Sequence, residues 1–225
     1  PIAIAQIGQW AENVYFGKPC GLMDQMASSV GNIITIDFAD PAKPIVEPVP
    51  VDFSQAGLAL CILDSGADHA DLTDDYAAIR REMESVAEQF GKKVLREVDE
   101  DEFMKNIADI RSSCGDRAVL RAIHFYGDNA RVEKQAAALK AGDFETFKKY
   151  IIESGRSSYM YNQNVYSCKK ASEQPVSLAL SLSEKLLDGC GAWRVHGGGF
   201  AGTIQAFVPL NKLDEYKDLM EKVFG

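Results

Sequence analysis

The sequence predicts an α+β fold in which an antiparallel sheet is covered by helices. The middle of the chain carries apolar residues at helical spacing, and the runs rich in β-branched residues stand outside it. The last two of these runs are separated only by a glycine turn, so they pair antiparallel. Strand, helices, strand, strand, helix is the element order of an α+β layer, which names a fold class and no function.

In chain order, residues 2–15 read as an amphipathic helix with Ile7, Trp10 and Val14 at helical spacing. This helix opens on Pro1 with no capping residue, and the expectation is that residues upstream are missing. A loop marked by Gly17, Pro19 and Gly21 leads to a short helix over about residues 23–30. Residues 32–38 (NIITIDF) read as a strand. Residues 40–50 hold four prolines and are the best candidate for a linker or an edge connection. A second strand at 58–63 runs into the loop 64–71. The helix at 72–90 places Tyr76, Ile79, Met83, Val86 and Phe90 on one stripe. Further helices are expected at 118–139, closed by Gly142, at 143–154 with Asp143 as N-cap, and at 172–187 with Pro175 near its start. Strands at 193–196 and 203–208 flank the glycine turn. A final helix presents Leu213, Tyr216, Met220 and Val223.

Composition removes several classes of function. Of 225 residues, 46% are hydrophobic, which is ample for a packed core in one large domain or two modest ones. A net charge of −9, with lysines and arginines scattered through mixed-charge helices, argues against nucleic acid, whose recognition draws on clustered basic residues. Anionic small ligands stay open, because backbone N–H groups at helix ends bind phosphate without a basic surface. No apolar stretch is long enough to span a bilayer. The five cysteines are scattered and form no Cys-x-x-Cys pair, so they read as reduced thiols in a cytoplasmic protein, with neither zinc nor a redox dithiol.

Two segments carry chemistry. Gly197-Gly-Gly-Phe-Ala-Gly202 precedes a strand, whereas a dinucleotide fingerprint opens a helix, and no lysine follows Gly202 as a phosphate loop requires. On spacing alone it is either a tight bulged hairpin or a bare backbone that lets another backbone or a ligand come close. Asp24 falls in the first turn of its helix, a position the helix dipole favours for a carboxylate. It reads either as a helix-starting residue or as a fixed carboxylate that accepts, or electrostatically assists loss of, a hydroxyl proton. Glu12 alone is a surface glutamate, or one oxygen ligand of a Mg²⁺ ion that also binds substrate phosphates. Tyr76 is either core or a ring and hydroxyl facing a sugar. His69, His124 and His196 show no ligand spacing, His124 reads as a satisfied packing residue, and no Ser-His-Asp arrangement can be argued.

Taken in order, these segments resemble the galactokinases of the GHMP small-molecule kinase superfamily, over essentially the whole chain. Residues 11–26 (AENVYFGKPCGLMDQM) are similar to the family loop holding the catalytic aspartate, a role that would fall on Asp24. In the same loop Gly21 matches a glycine lying against the sugar, and Glu12 would be the Mg²⁺ ligand. The stretch from Leu72 to Arg81 resembles the Tyr-x-x-Arg-Arg helix, whose tyrosine touches galactose and would be Tyr76. Arg121-Ala-Ile-His124 with Asn129-Ala-Arg-Val132 is similar to a mainly structural family helix. Gly197, Gly198, Gly199 and Gly202 would form the loop on the nucleotide-phosphate side.

The sequence departs from the family at His196, usually Thr, at Ala201, usually Gly, and at Ser154-Gly-Arg-Ser-Ser158, where a Ser-His segment is usual. Neither the Gly-Glu-His-Thr-Asp motif nor the Gly-Leu-Ser-Ser-Ser phosphate loop occurs in the 225 residues.

The resemblance implies ATP-dependent phosphorylation of galactose at its anomeric hydroxyl, with ATP and Mg²⁺ as cofactors and no obligate protein partner. The chain alone is expected to be inactive. Residues 1–50 would be a remnant of the N-terminal kinase domain and residues 51–225 the C-terminal domain. An N-acetylgalactosamine or other sugar kinase of the superfamily, or a non-catalytic galactose sensor on the same fold, remains the alternative.

Overall fold

The computed structural model describes residues 1–17, 20–66, 72–200 and 202–225. Pro19, His69 and Ala201, each singled out above, lie outside them, as does most of the loop 64–71. The fold is α+β, in two units. The first comprises Pro1–Val51 with Ala136–Asp143, and the second Asp52–Gln135 with Phe144–Gly225.

In the first unit, α1 (Ile2–Val14) packs on α2 (Met23–Val30), and β1 (Ile34–Asp37) pairs antiparallel with β2 (Ile45–Pro48) from Ile34↔Pro48 to Asp37↔Ile45. Its core is Ala5, Leu22 and Met26, with Val30, Ile34, Ile36, Phe38 and Val46 packed against them. The apolar stripe of α1 does not supply that core. Ile7, Trp10 and Val14 stand 66%, 54% and 59% exposed, and only Ala5 of this helix is buried. A side carrying Ala5, Gln9 and Glu12 turns inward instead, because a small residue permits a close crossing and the polar ones find hydrogen bonds there. The proline-rich stretch also contains more than a connection. Its Ile45, Val46 and Glu47 form the edge strand β2, which tolerates prolines at its ends because its outer N–H groups have no ladder to join.

The second unit holds β3 (Leu58–Asp64), α3 (Thr73–Glu88), α4 (Glu100–Lys105), α5 (Ile107–Cys114), and α6 (Asp116–Lys140), whose last turn counts with the first unit. After these come α7 (Phe144–Ser157), α8 (Pro175–Leu187), β4 (Ala192–Val195), β5 (Thr203–Pro209) and α9 (Leu213–Phe224). The strands form one antiparallel sheet in the order β3-β5-β4. The register sorts side chains onto two faces. Trp193 lies opposite Ala206 and Val195 opposite Ile204, on the face where α8 and α9 bring Val176, Ala179, Leu187, Tyr216 and Met220. Ala192 lies opposite Phe207 on the other face, and Phe207 meets Phe147 of α7 edge-on at 5.0 Å. A separate helical core gathers Val86, Ala87, Phe103, Ile110 and Ala122 from α3 to α6. Both α4 and α5 belong to it, and neither is marked by an apolar stripe in the sequence. No helix among the described residues is long and apolar enough to cross a membrane.

Candidate active site

The residues singled out in the sequence fall into two groups. Glu12, Gly21 and Asp24 lie in the first unit, and Tyr76 with Gly197, Gly198, Gly199 and Gly202 in the second.

In the first group, Asp24 sits exposed in the first turn of α2, whose N-cap residue Leu22 offers no side-chain hydrogen bond. Among the described residues the first N–H groups of that helix therefore find no side-chain acceptor, and the carboxylate stands at the positive end of the dipole. Gly21 is exposed, and a Cβ added there would meet nothing within 4 Å, so packing within the described residues does not demand a glycine. Glu12, near the end of α1, accepts a hydrogen bond at Oε2 from Gln25 Nε2 at 3.3 Å. Around them runs a polar lattice that no motif announces. Asn13 Oδ1 accepts from the Cys20 N–H at 2.8 Å, and Gln9 Nε2 donates to the Cys20 carbonyl at 3.2 Å. Side chains of α1 thus hold the Cys20 end of the loop that leads to Asp24.

In the second group, the glycine segment joins β4 to β5 as a hairpin connection, with His196 N–H donating to the Thr203 carbonyl at 3.0 Å. It is also a site of close approach, where other parts of the protein lie against the bare backbone. A Cβ on Gly198 would come within 2.8 Å of the Tyr76 ring. One on Gly199, where φ is +81°, would come within 1.9 Å of the Asn164 carbonyl. Phe200 takes a left-handed φ of 53° and stacks edge-on against Tyr76 at 5.3 Å between centroids. The Tyr76 hydroxyl donates to the Gly199 carbonyl at 2.5 Å. Ala77, Ala78 and Ile79 separate Tyr76 from Arg80, one residue more than the family spacing, and Arg80 pairs with Glu84 on the surface. Beside the loop opens a cleft of about 700 Å³ lined by Ser65, Leu72, Val165, Lys169, Pro175 and Phe200 among others.

His124 is the packing residue the sequence suggests, but its surroundings are more polar than expected. Its Nδ1 lies 2.9 Å from Ser157 Oγ and its Nε2 3.8 Å from Asp128 Oδ2, so a serine, a histidine and an aspartate do come together. They are not a nucleophile and base. Ser157 and His124 are buried, and Asp128 serves Ser154 Oγ at 2.6 Å and Arg131 Nε at 3.0 Å. Burial, helped by the nearby Arg131 and Arg194, pushes the imidazole down to about 4 against the opposing pull of Asp128. A neutral, enclosed ring of this kind is structural. The same holds for Arg121, which is 2% exposed, pairs with Glu82 at 2.8 Å and donates to the Asn162 carbonyl at 3.0 Å.

Among the described residues no group of three or more His, Cys, Asp or Glu side chains could hold a metal ion. Glu12 offers a carboxylate to a cation, and Mg²⁺ takes one or two carboxylates together with substrate phosphates and water. That donor set fits the ion.

No family model matches the chain. Individual relatives do. It is 35% identical to the galactokinase of Homo sapiens over 203 residues, covering 89% of this chain and 47% of the relative. Against the galactokinase of Glaesserella parasuis serovar 5 it is 30% identical over 223 residues, covering 98% and 55%. Against that of Actinobacillus pleuropneumoniae it is 29% identical over 217 residues, covering 96% and 54%. Its fold matches a crystal structure of Lactococcus lactis galactokinase complexed with galactose, with a TM-score of 0.76 at 22% identity, over all of this chain and 56% of that one. The chain spans about half the length of the relatives it matches. In sequence along nearly its whole length, and in fold, the chain is related to the galactokinases and corresponds to part of one.

Proposed function

We propose that the protein carrying this chain is a galactose kinase, transferring the γ-phosphoryl group of ATP to the anomeric hydroxyl of galactose. The observation that carries the reading is similarity to galactokinases across 89% to 98% of the chain. Within that match, Glu12, Gly21, Asp24, Tyr76 and the glycine loop stand in the family's order.

Phosphoryl transfer asks the protein for position and charge neutralisation more than for covalent chemistry. Asp24, fixed at the start of α2, receives or orients the proton of the sugar hydroxyl as the oxygen attacks. Gly21 leaves its backbone bare for the sugar. Tyr76 holds the glycine loop through Gly199 and presents its ring edge, while the loop lies on the phosphate side. Glu12 would hold Mg²⁺, which when bound neutralises charge on the phosphates. The five free thiols fit a reducing, cytoplasmic setting. The 225 residues alone are expected to be inactive, because they span about half of the relatives and contain no Gly-Leu-Ser-Ser-Ser loop.

The test is turnover by the whole protein with ATP and galactose, N-acetylgalactosamine or talose in turn. Galactose 1-phosphate formed fastest supports the reading. Preference for N-acetylgalactosamine would reassign the substrate, and no sugar-dependent ADP release from any of them would overturn it.

A further inference from the structure

We propose that Asn164 is the positioning residue that sets the glycine loop, a role that rests on this loop lying on the phosphate side of a kinase site. The loop is held at three consecutive residues. Asn164 Nδ2 donates to the Gly198 carbonyl at 3.1 Å, the Tyr76 hydroxyl donates to the Gly199 carbonyl, and the Phe200 N–H donates to the Asn164 carbonyl at 2.6 Å. Two of the three holds belong to one residue, which is 4% exposed and lies 34 positions away in sequence. The absence of a side chain on Gly199 allows that approach, since a Cβ there would overlap the Asn164 carbonyl.

Asn164 is itself fixed from both sides. Helix α7 ends in a π turn, Ser158–Asn162, closed by the Gln163 N–H on the Ser158 carbonyl at 2.8 Å. Gln163 then takes a left-handed φ of 54°, which swings the chain out of the helix. On the near side Arg121, paired with Glu82, holds the Asn162 carbonyl. On the far side Ser167 Oγ donates to Asp75 Oδ2 at 2.8 Å, next in sequence to Tyr76. The strap from 162 to 167 therefore ties the start of α3 to the loop. The amide can face only one way, because turning it would set Oδ1 against the Gly198 carbonyl. The chemical consequence is that the carbonyl oxygens of Gly198 and Gly199 both stay engaged with protein donors. A freed carbonyl would repel a phosphate.

The experiment compares Asn164→Ala and Asn164→Asp with wild type in the whole protein, reading amide hydrogen exchange and steady-state kinetics. Loss of one such hydrogen bond should speed exchange at Phe200 by about tenfold while β5 and α6 stay unchanged. In Asn164→Asp the ionised carboxylate opposes the Gly198 carbonyl, whereas the neutral acid donates to it again. Burial raises that carboxyl above its ordinary value of about 4, so the exchange ratio to wild type should be largest at high pH and fall towards one as the pH drops through its protonation, a recovery that simple destabilisation does not give. KM for ATP should rise in both variants at pH 8 more than kcat falls. Unchanged Phe200 exchange in both variants, or an Asp/wild-type ratio independent of pH, would overturn the proposal. If Asn164→Asp does not fold, Phe200 exchange in Asn164→Ala decides alone. The exchange arm needs no substrate, so a wild-type protein that phosphorylates no sugar would refute the kinase reading and leave the role of Asn164 separately decided.

Discussion

Lowering the pH should destabilise the second unit through His124 before any carboxylate of that network titrates. The ring's ordinary value is 6.5, and in the fold burial holds it at about 4 although Asp128 lies 3.8 Å away. An aspartate beside a histidine ordinarily favours the imidazolium. Here desolvation wins, with Arg131 and Arg194 adding like charge. Because the folded state keeps the ring neutral, its contribution is full above pH 6.5 and is lost as pH falls from there towards 4. Within that window each pH unit costs up to about 1.4 kcal/mol, so going from pH 7 to pH 5 should remove about 2 kcal/mol. Asp128 adds little there. Burial raises its carboxyl, but hydrogen bonds from Ser154 and Arg131 and the charge of Arg194 bring it below the ordinary 3.8, so its own loss comes only at lower pH. The assay is urea unfolding from pH 7 to pH 4, followed by Trp193 fluorescence with Trp10→Phe removing the signal of the first unit. His124→Gln keeps a polar partner for Ser157 and removes the titration, so its stability should fall less steeply over the window. Parallel curves for the two proteins would mean that His124 does not set the acid sensitivity.

Gly199→Ala should cost more than about 3 kcal/mol, since it adds a clash to left-handed strain, whereas Gly197→Ala, with open space around it, should cost about 1 kcal/mol. Equal thermal shifts for the two would contradict the close approach at Asn164. Arg121→Met should cost about 3 kcal/mol by leaving the Asn162 carbonyl unpaired and Glu82 with Arg117 alone, and adding Glu82→Gln should recover part of it. A double-mutant cycle in urea checks both values.

Much of the fold was legible because strong periodicity and glycine punctuation coincide. Helix α2 runs from Met23 to Val30 as the spacing indicates, and it ends at Gly31 in a positive-φ conformation. Helix α4 left only a weak trace. Among its six residues only Phe103 is buried, so no stripe forms. Its one local signal is a cap, with the Asp99 side chain accepting from the Glu102 N–H at 3.0 Å. The exposed stripe on α1 shows the opposite failure. Apolar spacing identified the helix but not the side that packs, because Ala5 decides the crossing while larger residues set the pattern. At the site, Asp24 and the glycines stood out as local motifs. Asn164 and Ser157 act through partners 34 and 33 positions away, and a single sequence carries no mark of such pairs.

In the proposed function Asp24 handles the hydroxyl proton in phosphoryl transfer to galactose. The most direct measurement is kcat for galactose phosphorylation by the whole protein with Asp24→Asn, alongside calorimetric binding of galactose. A general base or orienting carboxylate predicts a fall in kcat of at least ~100-fold with galactose still bound. Near-normal turnover in that variant would remove Asp24 from the chemistry.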